Sequence, residues 1–546
     1  MVDSAAKDDL HWEIFSLIER DGAFFGSGWI FHEEKRIQSL VLKVSLVNGT
    51  AQMIHASFSK LRNDVAARFP KCIAAKHSGF FVLGSAKYEL YELSGVHLEV
   101  TFDDGRLSVL PIPKGRFQML GNRSAATSQA SLGQIGSLLR RSAYLVKHFQ
   151  IATLLSKASR YFASRPTASV AAAKAVWSRL EKDERSNIVV VVDHDMGGGA
   201  NQYRERMVAK KIDEGATVIV LTYFVATLSY GILLRTRRVN ERYAIPAYDF
   251  VLDLAEQLAV REVIYNTGVS FSDPDKIPGL LLDLRAKSHS KLTLLVHDFF
   301  MVCPSHYLLD YTGKYCDVPD VGQCQRCLVK NNQDYCSMYH ARDVTAWRAL
   351  WGPVIDVADE LRFFSNSSLR LMKKAYPGLD SSRTVVKPHT GNYVNKGEIV
   401  PSHISSLRIG VVGQIGFHKG ARIIQQLAEE ISARKLDIRS VVIGTVEAPL
   451  DSSAAEETGP YRHSDLAAMI VKSGANIMLF PSIWPETFSY VVLELMEMNL
   501  PVACYDLGAP AERVATYAKG LILQPGEASA TLDDLLKFHK KIYRDF

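Results

Sequence analysis

One sequence pattern, in which an apolar run is followed by a glycine turn, a helical stretch and a second apolar run, occurs twice in this chain of 546 residues. This pattern limits the folds that the chain can adopt. At Asn187, NIVVVVD is followed by the glycine turn HDMGGGA, a helical pattern through NQYRERMVAKKIDEG, and the apolar run TVIVLTY. At Leu407, LRIGVVG is followed by QIGFHKG, ARIIQQLAEEISARK and SVVIG. Apolar runs joined in this way predict parallel sheets that are buried on both faces. We therefore expect an α/β protein with two Rossmann-like domains facing a cleft, where ligands bind outside the carboxyl ends of the strands.

The remainder of the chain differs from these two units in composition. Between about residues 10 and 115, short β-branched and aromatic runs alternate with Gly, Asn-Gly and Asp-Asp-Gly turns. This pattern predicts a β-sandwich-like accessory domain, with either a packing role or a carbohydrate-binding role. The loose stretch PHTGNYVNKGEIVPSHISS separates the two Rossmann-like units. We predict four parts: residues 1–115 (accessory), 116–185 (basic helical linker), 186–395 (first Rossmann-like domain, with a Cys-rich insertion at about 300–340) and 396–546 (second Rossmann-like domain).

The predicted linker is strongly basic. Residues 105–180 contain twelve Lys or Arg and no Asp or Glu, although the net charge of the whole chain is only +6. Apolar and basic residues alternate there at roughly helical spacing. A basic amphipathic helix can lie on an anionic membrane surface, and a linker helix that packs on a neighbouring domain would show the same pattern. Nucleic acid is not an expected partner, because the segment lacks a recognised binding motif.

Two further features concern the cellular compartment. No apolar run approaches the roughly eighteen residues of a membrane span, and the N-terminal MVDSAAKDDLHWE lacks the layout of a signal peptide. We therefore expect a cytoplasmic protein, held at the inner face of the cell membrane if the basic segment binds lipid. In a reducing compartment the seven cysteines are expected to be thiols or metal ligands more than disulfides.

Two carboxylates stand out in FPSIWPETFSYVVLELMEM, near the C-terminal end. The pattern predicts a strand, a loop that holds Glu486, and a helix that carries Glu494 about two turns from its start. The backbone N–H groups of Thr487, Phe488 and Ser489 would then be unpaired donors, suited to a phosphate. The arrangement indicates a ligand with sugar hydroxyls at two places and phosphate between them. Alternatively, Glu486 only complements the helix N-terminus and Glu494 is a surface residue.

The combination FPS…PETFSYVVLE…PVACYDLGAP resembles the nucleotide-sugar site of family 4 glycosyltransferases, which have the GT-B fold. The resemblance extends over about residues 186–524. GQIGFHKG is similar to the loop of the family's donor domain, in which Lys419 would meet the diphosphate and Gly416 would lie alongside. Gln414 stands where the family commonly has an arginine. By this resemblance residues 186–395 would form the acceptor domain and residues 396–546 the donor domain.

Two motifs of the acceptor half extend the resemblance. LLVHDFF is similar to the strand end of the family that carries a histidine, here His297, which is expected to contact the transferred sugar. Glu486 would correspond to the sugar-contacting glutamate, and Glu494 to the one that binds the ribose. MGGGA resembles the flexible glycine loop of the family's acceptor domain, formed here by Gly197, Gly198 and Gly199, which lets backbone approach the donor phosphate or the acceptor.

The resemblance implies a retaining glycosyltransferase that uses a nucleotide-diphosphate sugar and a glycan or lipid-linked acceptor, in bacterial polysaccharide biosynthesis such as that of O-antigen or capsule. His297, Glu486 and Lys419 would be the catalytic residues. No catalytic metal is expected, since Lys419 and helix N-termini would stabilise the leaving diphosphate. The two Asp-x-Asp triplets, at residues 193–195 and 273–275, are interpreted as turn and helix-start residues. Two alternatives stay open: a GT-B nucleotide-sugar epimerase, and a non-catalytic glycan-binding or scaffold protein.

Five of the seven cysteines cluster between Cys303 and Cys336. Cys324 and Cys327 form a C-x2-C hook, and together with Cys303 and Cys316 they could hold a structural zinc ion. Buried thiols or disulfides are the alternatives. Possible substitute ligands are Cys336, His306 and His340.

Overall fold

The computed structural model describes the residues 9–87, 92–113, 115–120, 176–333, 336–389, 397–401 and 404–543. Within these ranges the molecule is organised around three β-sheets. Most of the predicted basic linker lies outside the described residues, and with it the predicted membrane-binding helix. In the part of the chain that is described, no helix is both long enough and apolar enough to cross a membrane.

The N-terminal region is β-rich, as predicted, and its two halves share one strand. Its elements are β1 (Leu10–Arg20), β2 (Ala23–His32), β3 (Ile37–Leu46), β4 (Ala51–Lys60), α1 (Asn63–Arg68), β5 (Gly79–Ser85), β6 (Leu93–Phe102), β7 (Leu107–Pro111) and β8 (Phe117–Met119). They form one sheet in the order β7-β6-β3-β4-β5-β2-β1-β8. The first half of β4 pairs with β3 and its second half with β5, so this strand joins the two halves of the sheet. Buried side chains from β1 to β7 still form a single core cluster.

The first Rossmann-like domain is built on the second sheet, in the order β12-β11-β10-β9-β13-β14-β15-β16. Its elements are β9 (Ile188–Val192), α2 (Gly199–Asp213), β10 (Thr217–Phe224), β11 (Ser229–Arg235), β12 (Asn240–Ala244), α3 (Phe250–Gln257), β13 (Val260–Tyr265), α4 (Ile277–Ser288), β14 (Lys291–Leu295), α5 (Val321–Lys330), α6 (Val344–Val357), β15 (Glu360–Phe363), α7 (Asn366–Ala375) and β16 (Thr384–Val386). All neighbouring strands are parallel except β11 and β12, which form an antiparallel edge. Val190 and Val191 belong to different core clusters, so both faces of the sheet are buried.

The second Rossmann-like domain is an all-parallel sheet in the order β19-β18-β17-β20-β21-β22. Its elements are β17 (Arg408–Ile415), α8 (Ala421–Ala433), β18 (Arg439–Val446), β19 (Ala455–Glu457), α9 (Leu466–Ser473), β20 (Ile477–Phe480), α10 (Tyr490–Glu497), β21 (Val502–Tyr505), α11 (Gly508–Val514), β22 (Gly520–Leu523) and α12 (Ala528–Ile542). Here too the apolar residues on the two faces form separate clusters. The predicted pair of doubly wound sheets is therefore confirmed.

The N-terminal sheet contacts both Rossmann-like domains, in two different ways. Buried Ile18 and Leu83 join the core cluster of the first Rossmann-like domain. Contacts with the second include ion pairs: Lys60 Nζ lies 2.5 Å from Glu447, and Lys76 Nζ lies 2.6 Å from Glu457. The sheet thus packs on one domain through apolar side chains and touches the other through charges.

Candidate functional site

Each Rossmann-like sheet reverses its strand order at one point, and the candidate site lies between these points. The reversal falls between β17 and β20 in the second domain and between β9 and β13 in the first. A crevice opens outside the carboxyl ends of the strands at such a reversal, and doubly wound folds bind ligands there. The loops after β17 and β20 carry Lys419 and Glu486, whereas the glycine loop follows β9 and His297 follows β14.

The loop after β17, which carries Lys419, is fixed by a glycine and by its neighbour loop. Gly420 has φ of +87°, and a Cβ atom there would overlap the carbonyl oxygen of Pro481, so only glycine fits. The backbone N–H of Ile483 donates to the carbonyl oxygen of His418 at 3.1 Å. Lys419 is therefore presented on a turn that is locked against the loop after β20.

Two other residues of the predicted donor loop lie close to Lys419 in the chain. Gln414 is exposed near the end of β17, where it pairs with Thr445 of β18. Gly416 is buried, and a Cβ atom there would lie 3.1 Å from Oε2 of Glu447. The loop is thus tightly packed at Gly416, and contacts of either residue with a diphosphate stay predictions.

Glu486 is a buried carboxylate with unused hydrogen-bonding capacity. Glu486 is only 7% exposed. Burial raises the pKa of its carboxyl group to about 6, although the positive charge of Lys419 acts in the opposite direction. The Oε1 atom has no hydrogen-bond donor among the described residues. The backbone is held in place, because the N–H of Ala509 donates to the Glu486 carbonyl oxygen at 2.8 Å. Since an unsatisfied buried carboxylate is costly, we interpret Oε1 as facing a polar ligand.

His297, from the first Rossmann-like domain, has the same property. It is 9% exposed and its ring stacks on Phe364 at 4.5 Å, while Nε2 has no partner within the described part of the chain. Burial, with a contribution from His194, lowers the pKa of His297 to about 3, so the ring is neutral near pH 7. The Thr487 hydroxyl donates to the carbonyl oxygen of His297 at 2.9 Å. This bond joins the two domains at the cleft, beside Glu486.

The glycine loop opens onto the cleft opposite α10. Gly197 and Gly198 have φ of +87° and +90°, and no atom lies within 4 Å of a Cβ atom at either position. A Cβ atom at Gly199, where α2 begins, would lie 3.5 Å from the ring of Tyr490 in the other domain. The side chain of Asn201 accepts a hydrogen bond from the N–H of Gly197 at 2.6 Å. The loop is held at its base and leaves room for backbone to approach a ligand.

A buried ion pair explains how the base of the glycine loop is held. Asp193, fully buried at the end of β9, accepts hydrogen bonds from Arg204 at 2.8 Å and from Asn201 at 2.7 Å. Burial raises the pKa of Asp193 to about 6, and Arg204 counteracts this shift. The other aspartate of this triplet, Asp195, pairs with Arg242 at 3.1 Å. These contacts favour the structural interpretation of the triplet.

Helix α10 begins later than the sequence pattern predicts. Its N-cap is Ser489, whose Oγ accepts a hydrogen bond from the N–H of Val492 at 3.3 Å. Thr487 and Phe488 lie in the preceding loop, which crosses the cleft to reach the first domain. Serine is a favoured N-cap residue, so the helix starts there. The loop before it is long enough for Thr487 to contact the first domain. Glu494 therefore lies little more than one turn into the helix, where the prediction had two.

Glu494 is not a surface residue. It is 4% exposed, and its Oε1 lies 2.8 Å from Nε2 of His463, whose own side chain is 57% exposed. An exposed imidazole thus covers a buried carboxylate at the edge of the second domain. The predicted alternative of a surface carboxylate is therefore wrong, and the ribose role of Glu494 stays a prediction.

His389, which the sequence pattern did not single out, belongs to the site. It lies in the stretch interpreted as a loose link between the domains, yet its ring stacks on Phe488 at 4.3 Å. The guanidinium group of Arg513 lies 4.0 Å from the same Phe488 ring. The hydroxyl of Tyr490 is hydrogen-bonded to both His389 and Arg206. Because this link has no apolar periodicity, its sequence did not predict that His389 would pack in the cleft.

An aromatic cluster from the Cys-rich insertion also reaches the loops after β17 and β20. Tyr307 stacks on His418 at 4.2 Å and contacts Trp484 at 4.6 Å. A Cβ atom at Gly313 would come within 2.7 Å of the Phe417 ring, so the insertion packs tightly on the loop that carries Lys419. Only the position of Trp484, two residues before Glu486, could have indicated this contact from sequence.

The four predicted zinc ligands lie near one another without forming a recognisable metal site. The thiols of Cys303, Cys316, Cys324 and Cys327 interact electrostatically, and burial raises the pKa of Cys316 to about 12. Across the described ranges, no group of three or more His, Cys, Asp or Glu side chains has the arrangement of a metal site. All seven cysteines are free thiols. Zinc at this cluster stays a prediction, which elemental analysis of the purified protein would test.

Comparisons with solved structures return matches at low identity. HepE from Anabaena, in complex with UDP-glucose, is 14% identical, with 65% of this chain and 90% of that chain covered and a TM-score of 0.42. Sucrose-phosphate synthase from Thermosynechococcus elongatus is 13% identical, with 66% and 90% covered and a TM-score of 0.44. The pneumococcal O-GlcNAc transferase GtfA, in complex with UDP and GlcNAc, is 12% identical, with 57% of each chain covered and a TM-score of 0.35.

Part of the chain matches a known protein family, whereas a search of curated proteins found no significant match. Residues 405–541, about a quarter of the chain, match the family described as Glycosyl transferases group 1. These residues contain the whole second Rossmann-like sheet and the loops that carry Lys419, Glu486 and Glu494. Residues 405–541, which contain the second Rossmann-like sheet, are therefore identified as a group 1 glycosyltransferase domain.

Proposed function

We propose that the protein transfers a sugar from a nucleotide-diphosphate sugar to a hydroxyl group of a glycan or lipid-linked acceptor, with retention of the anomeric configuration. One observation supports this most: His297 and Glu486 come from opposite domains, and each buries a polar atom without a partner among the described residues. The hydrogen bond from Thr487 to His297 brings the two segments together. Hydroxyl groups of a sugar bound between them would satisfy both side chains.

The protonation states of these two side chains suit sugar hydroxyls. With a pKa of about 6, Glu486 is mostly ionised near pH 7 and accepts hydrogen bonds from hydroxyl groups. His297 is neutral, so its free ring nitrogen can donate or accept one hydrogen bond, according to the tautomer. Such contacts would orient the donor sugar in the cleft and stabilise the positive charge that develops as its glycosidic bond breaks.

The leaving diphosphate would lie between Lys419 and the starts of α2 and α10. Lys419 supplies a positive charge, and the first N–H groups of each helix supply donors for phosphate oxygens. In the proposed reaction, the bond between the anomeric carbon and the diphosphate oxygen breaks while the acceptor hydroxyl oxygen bonds to that carbon on the same face. The hydroxyl proton passes to the departing phosphate oxygen, so no side chain has to act as a base.

The acceptor class and the pathway rest on sequence. The acid-free basic segment within residues 105–180 suits an enzyme that works beside an anionic membrane, where lipid-linked glycans are assembled. We therefore propose a role in bacterial surface polysaccharide biosynthesis, at the cytoplasmic face of the membrane. Vesicle sedimentation with anionic and with neutral lipids tests the membrane contact: equal sedimentation of the protein with both would contradict it.

A transfer assay tests the proposed chemistry. The full chain is incubated with a panel of nucleotide sugars, with and without polysaccharide or lipid-linked acceptors, and nucleotide release and product are measured. Acceptor-dependent release with a glycosylated product is expected; the anomeric coupling constant in its NMR spectrum reports retention. Conversion of the sugar without acceptor would indicate an epimerase, and nucleotide binding without turnover would indicate a binding protein.

Matched variants connect this activity to the site. His297→Ala and Glu486→Gln should lower transfer by at least about a hundredfold, because each removes a group placed at the reacting sugar. Glu497→Gln changes an exposed carboxylate at the end of α10 and should leave transfer unchanged. Glu494→Ala should abolish stabilisation by nucleoside diphosphates in a thermal shift assay. If the three site variants, His297→Ala, Glu486→Gln and Glu494→Ala, retained the parent's activity and nucleotide binding, the site would be assigned wrongly.

A further inference from the structure

Lys60, the last residue of β4 in the N-terminal sheet, contacts Glu447, which borders the loop that carries Lys419. The pairing of β4 with β5 shifts between Ser57 and Lys60, and Ser59 takes the left-handed conformation with φ of +64°. This irregularity directs the end of β4 towards the second Rossmann-like domain, where Lys60 Nζ lies 2.5 Å from Oε2 of Glu447. The ring of Phe81, on the neighbouring strand β5, lies 5.3 Å from the same ammonium group. Lys60 is therefore held between two strands and the facing domain.

Glu447 is part of the packing of that loop. It directly follows β18, and its N–H donates to the carbonyl oxygen of Ile415 at 2.9 Å. Its Oε2 atom would lie 3.1 Å from a Cβ atom on Gly416, and its side chain is only 15% exposed. The same oxygen thus contacts Lys60 and borders the turn that presents Lys419. Without a counter-charge, a carboxylate at this position would repel an anion bound at the turn.

We propose that the N-terminal sheet completes the binding site for the leaving nucleoside diphosphate. Lys60 neutralises Glu447, which leaves the charge of Lys419 to the phosphate groups. Lys60 is a positioning residue, because it acts through Glu447 and not by touching the substrate. The inference rests on the proposed function, and it gives the accessory sheet a role in donor binding in addition to packing.

A second ion pair across the same interface provides a matched control. Lys76 Nζ lies 2.6 Å from Glu457, at the end of β19. The other carboxylate oxygen of Glu457 accepts a hydrogen bond from the N–H of Val446 at 3.1 Å, so this pair holds the end of β18. Lys76→Met and Lys60→Met remove the same charge from the N-terminal region, Lys60 at the end of β4 and Lys76 in the short 3-10 helix Ile73–His77. Only Lys60→Met leaves an uncompensated carboxylate against Gly416.

The experiment measures the binding of a nucleoside diphosphate and of the corresponding nucleoside to the full-length protein by calorimetry. Lys60→Met should weaken binding of the diphosphate about tenfold, the order expected for one uncompensated charge several ångströms from a phosphate. Binding of the nucleoside should stay unchanged, because it carries no phosphate. Adding Glu447→Gln to Lys60→Met should restore the affinity, and Lys76→Met should change it less than about twofold.

Several outcomes would overturn the proposal. Equal losses of nucleoside diphosphate affinity in Lys60→Met and Lys76→Met would show that the N-terminal region only stabilises the second Rossmann-like domain by packing against it. A loss that Glu447→Gln does not rescue would show that Lys60 does not act through this carboxylate, and an unchanged affinity in Lys60→Met would remove its role altogether. If the parent binds no nucleoside diphosphate, the donor site itself is wrong and the proposed function falls with it. Thermal unfolding of each variant establishes that it is folded.

Discussion

Replacing Glu486 by glutamine should make the protein more stable while it removes transfer. Burial raises the pKa of Glu486 from 4.5 to about 6, which means that the folded protein holds the ionised carboxylate at a cost. A tenfold change in an acid dissociation constant corresponds to about 1.4 kcal/mol, so this cost is about 2 kcal/mol. Glutamine keeps the shape of the side chain and cannot ionise, so the variant avoids the cost.

The pH dependence identifies the cause. Because the folded pKa is raised, the penalty is absent below about pH 4.5, grows as the pH rises towards 6 and is complete above that value. Denaturant unfolding of the parent and of Glu486→Gln at about pH 8 and about pH 4 should therefore give a gain of about 2 kcal/mol at the higher pH and almost none at the lower. Glu497→Gln, at an exposed position, should give no gain at either pH.

Two results would refute this reasoning. If Glu486→Gln were less stable than the parent at the higher pH, the carboxylate would be well accommodated, and its unused oxygen would not indicate a ligand. If the gain were the same at both pH values, it would come from packing and not from ionisation. A bound donor sugar should reverse the order, since its hydroxyl groups would satisfy the carboxylate of the parent and not the amide in the same way.

Two further variants test the geometry of the cleft. Thr487→Val removes the hydrogen bond to the carbonyl oxygen of His297, worth about 1 kcal/mol, and steady-state kinetics should show a lower kcat with nucleoside diphosphate affinity retained; an unchanged kcat would mean that this contact does not hold the catalytic arrangement. Gly420→Ala places a Cβ atom on the carbonyl oxygen of Pro481 in a left-handed residue and should cost more than about 2 kcal/mol in denaturant unfolding. Gly215→Ala has a similar φ of +85° with open space around it and should cost only about 1 kcal/mol, so equal costs would contradict the overlap at Gly420.

Much of the donor side of the site could be predicted from sequence because its signals are local. The run LRIGVVG and the turn after it show where β17 ends, and the turn must carry Lys419 at the carboxyl edge of the sheet. The same reasoning places Glu486 after β20 and His297 after β14. The start of α10 was predicted too early because proline and glutamate suggested a helix start, whereas the loop continues across the cleft to the N-cap Ser489.

The N-terminal region shows the limit of this reasoning. Alternating apolar residues predict strands and the face that each one buries, and the β-rich region is as expected. They do not show which strands pair, so the sharing of β4 between two halves of one sheet was not predictable. His389 illustrates the same limit, since a polar link carries no periodicity that could reveal its stacking on Phe488.

The two doubly wound sheets and the loops that carry the side chains of the candidate site follow from the order of the amino acids, because neighbouring residues specify strand ends and glycine turns. What these side chains meet depends on the folded arrangement of distant segments. Thr487 reaches a residue 190 positions away, and Lys60 pairs with a glutamate 387 positions away. The pKa shifts of His297 and Glu486 come mainly from burial of these side chains. Burial and pairing between distant segments depend on how the domains dock, and local patterns carry no information about docking.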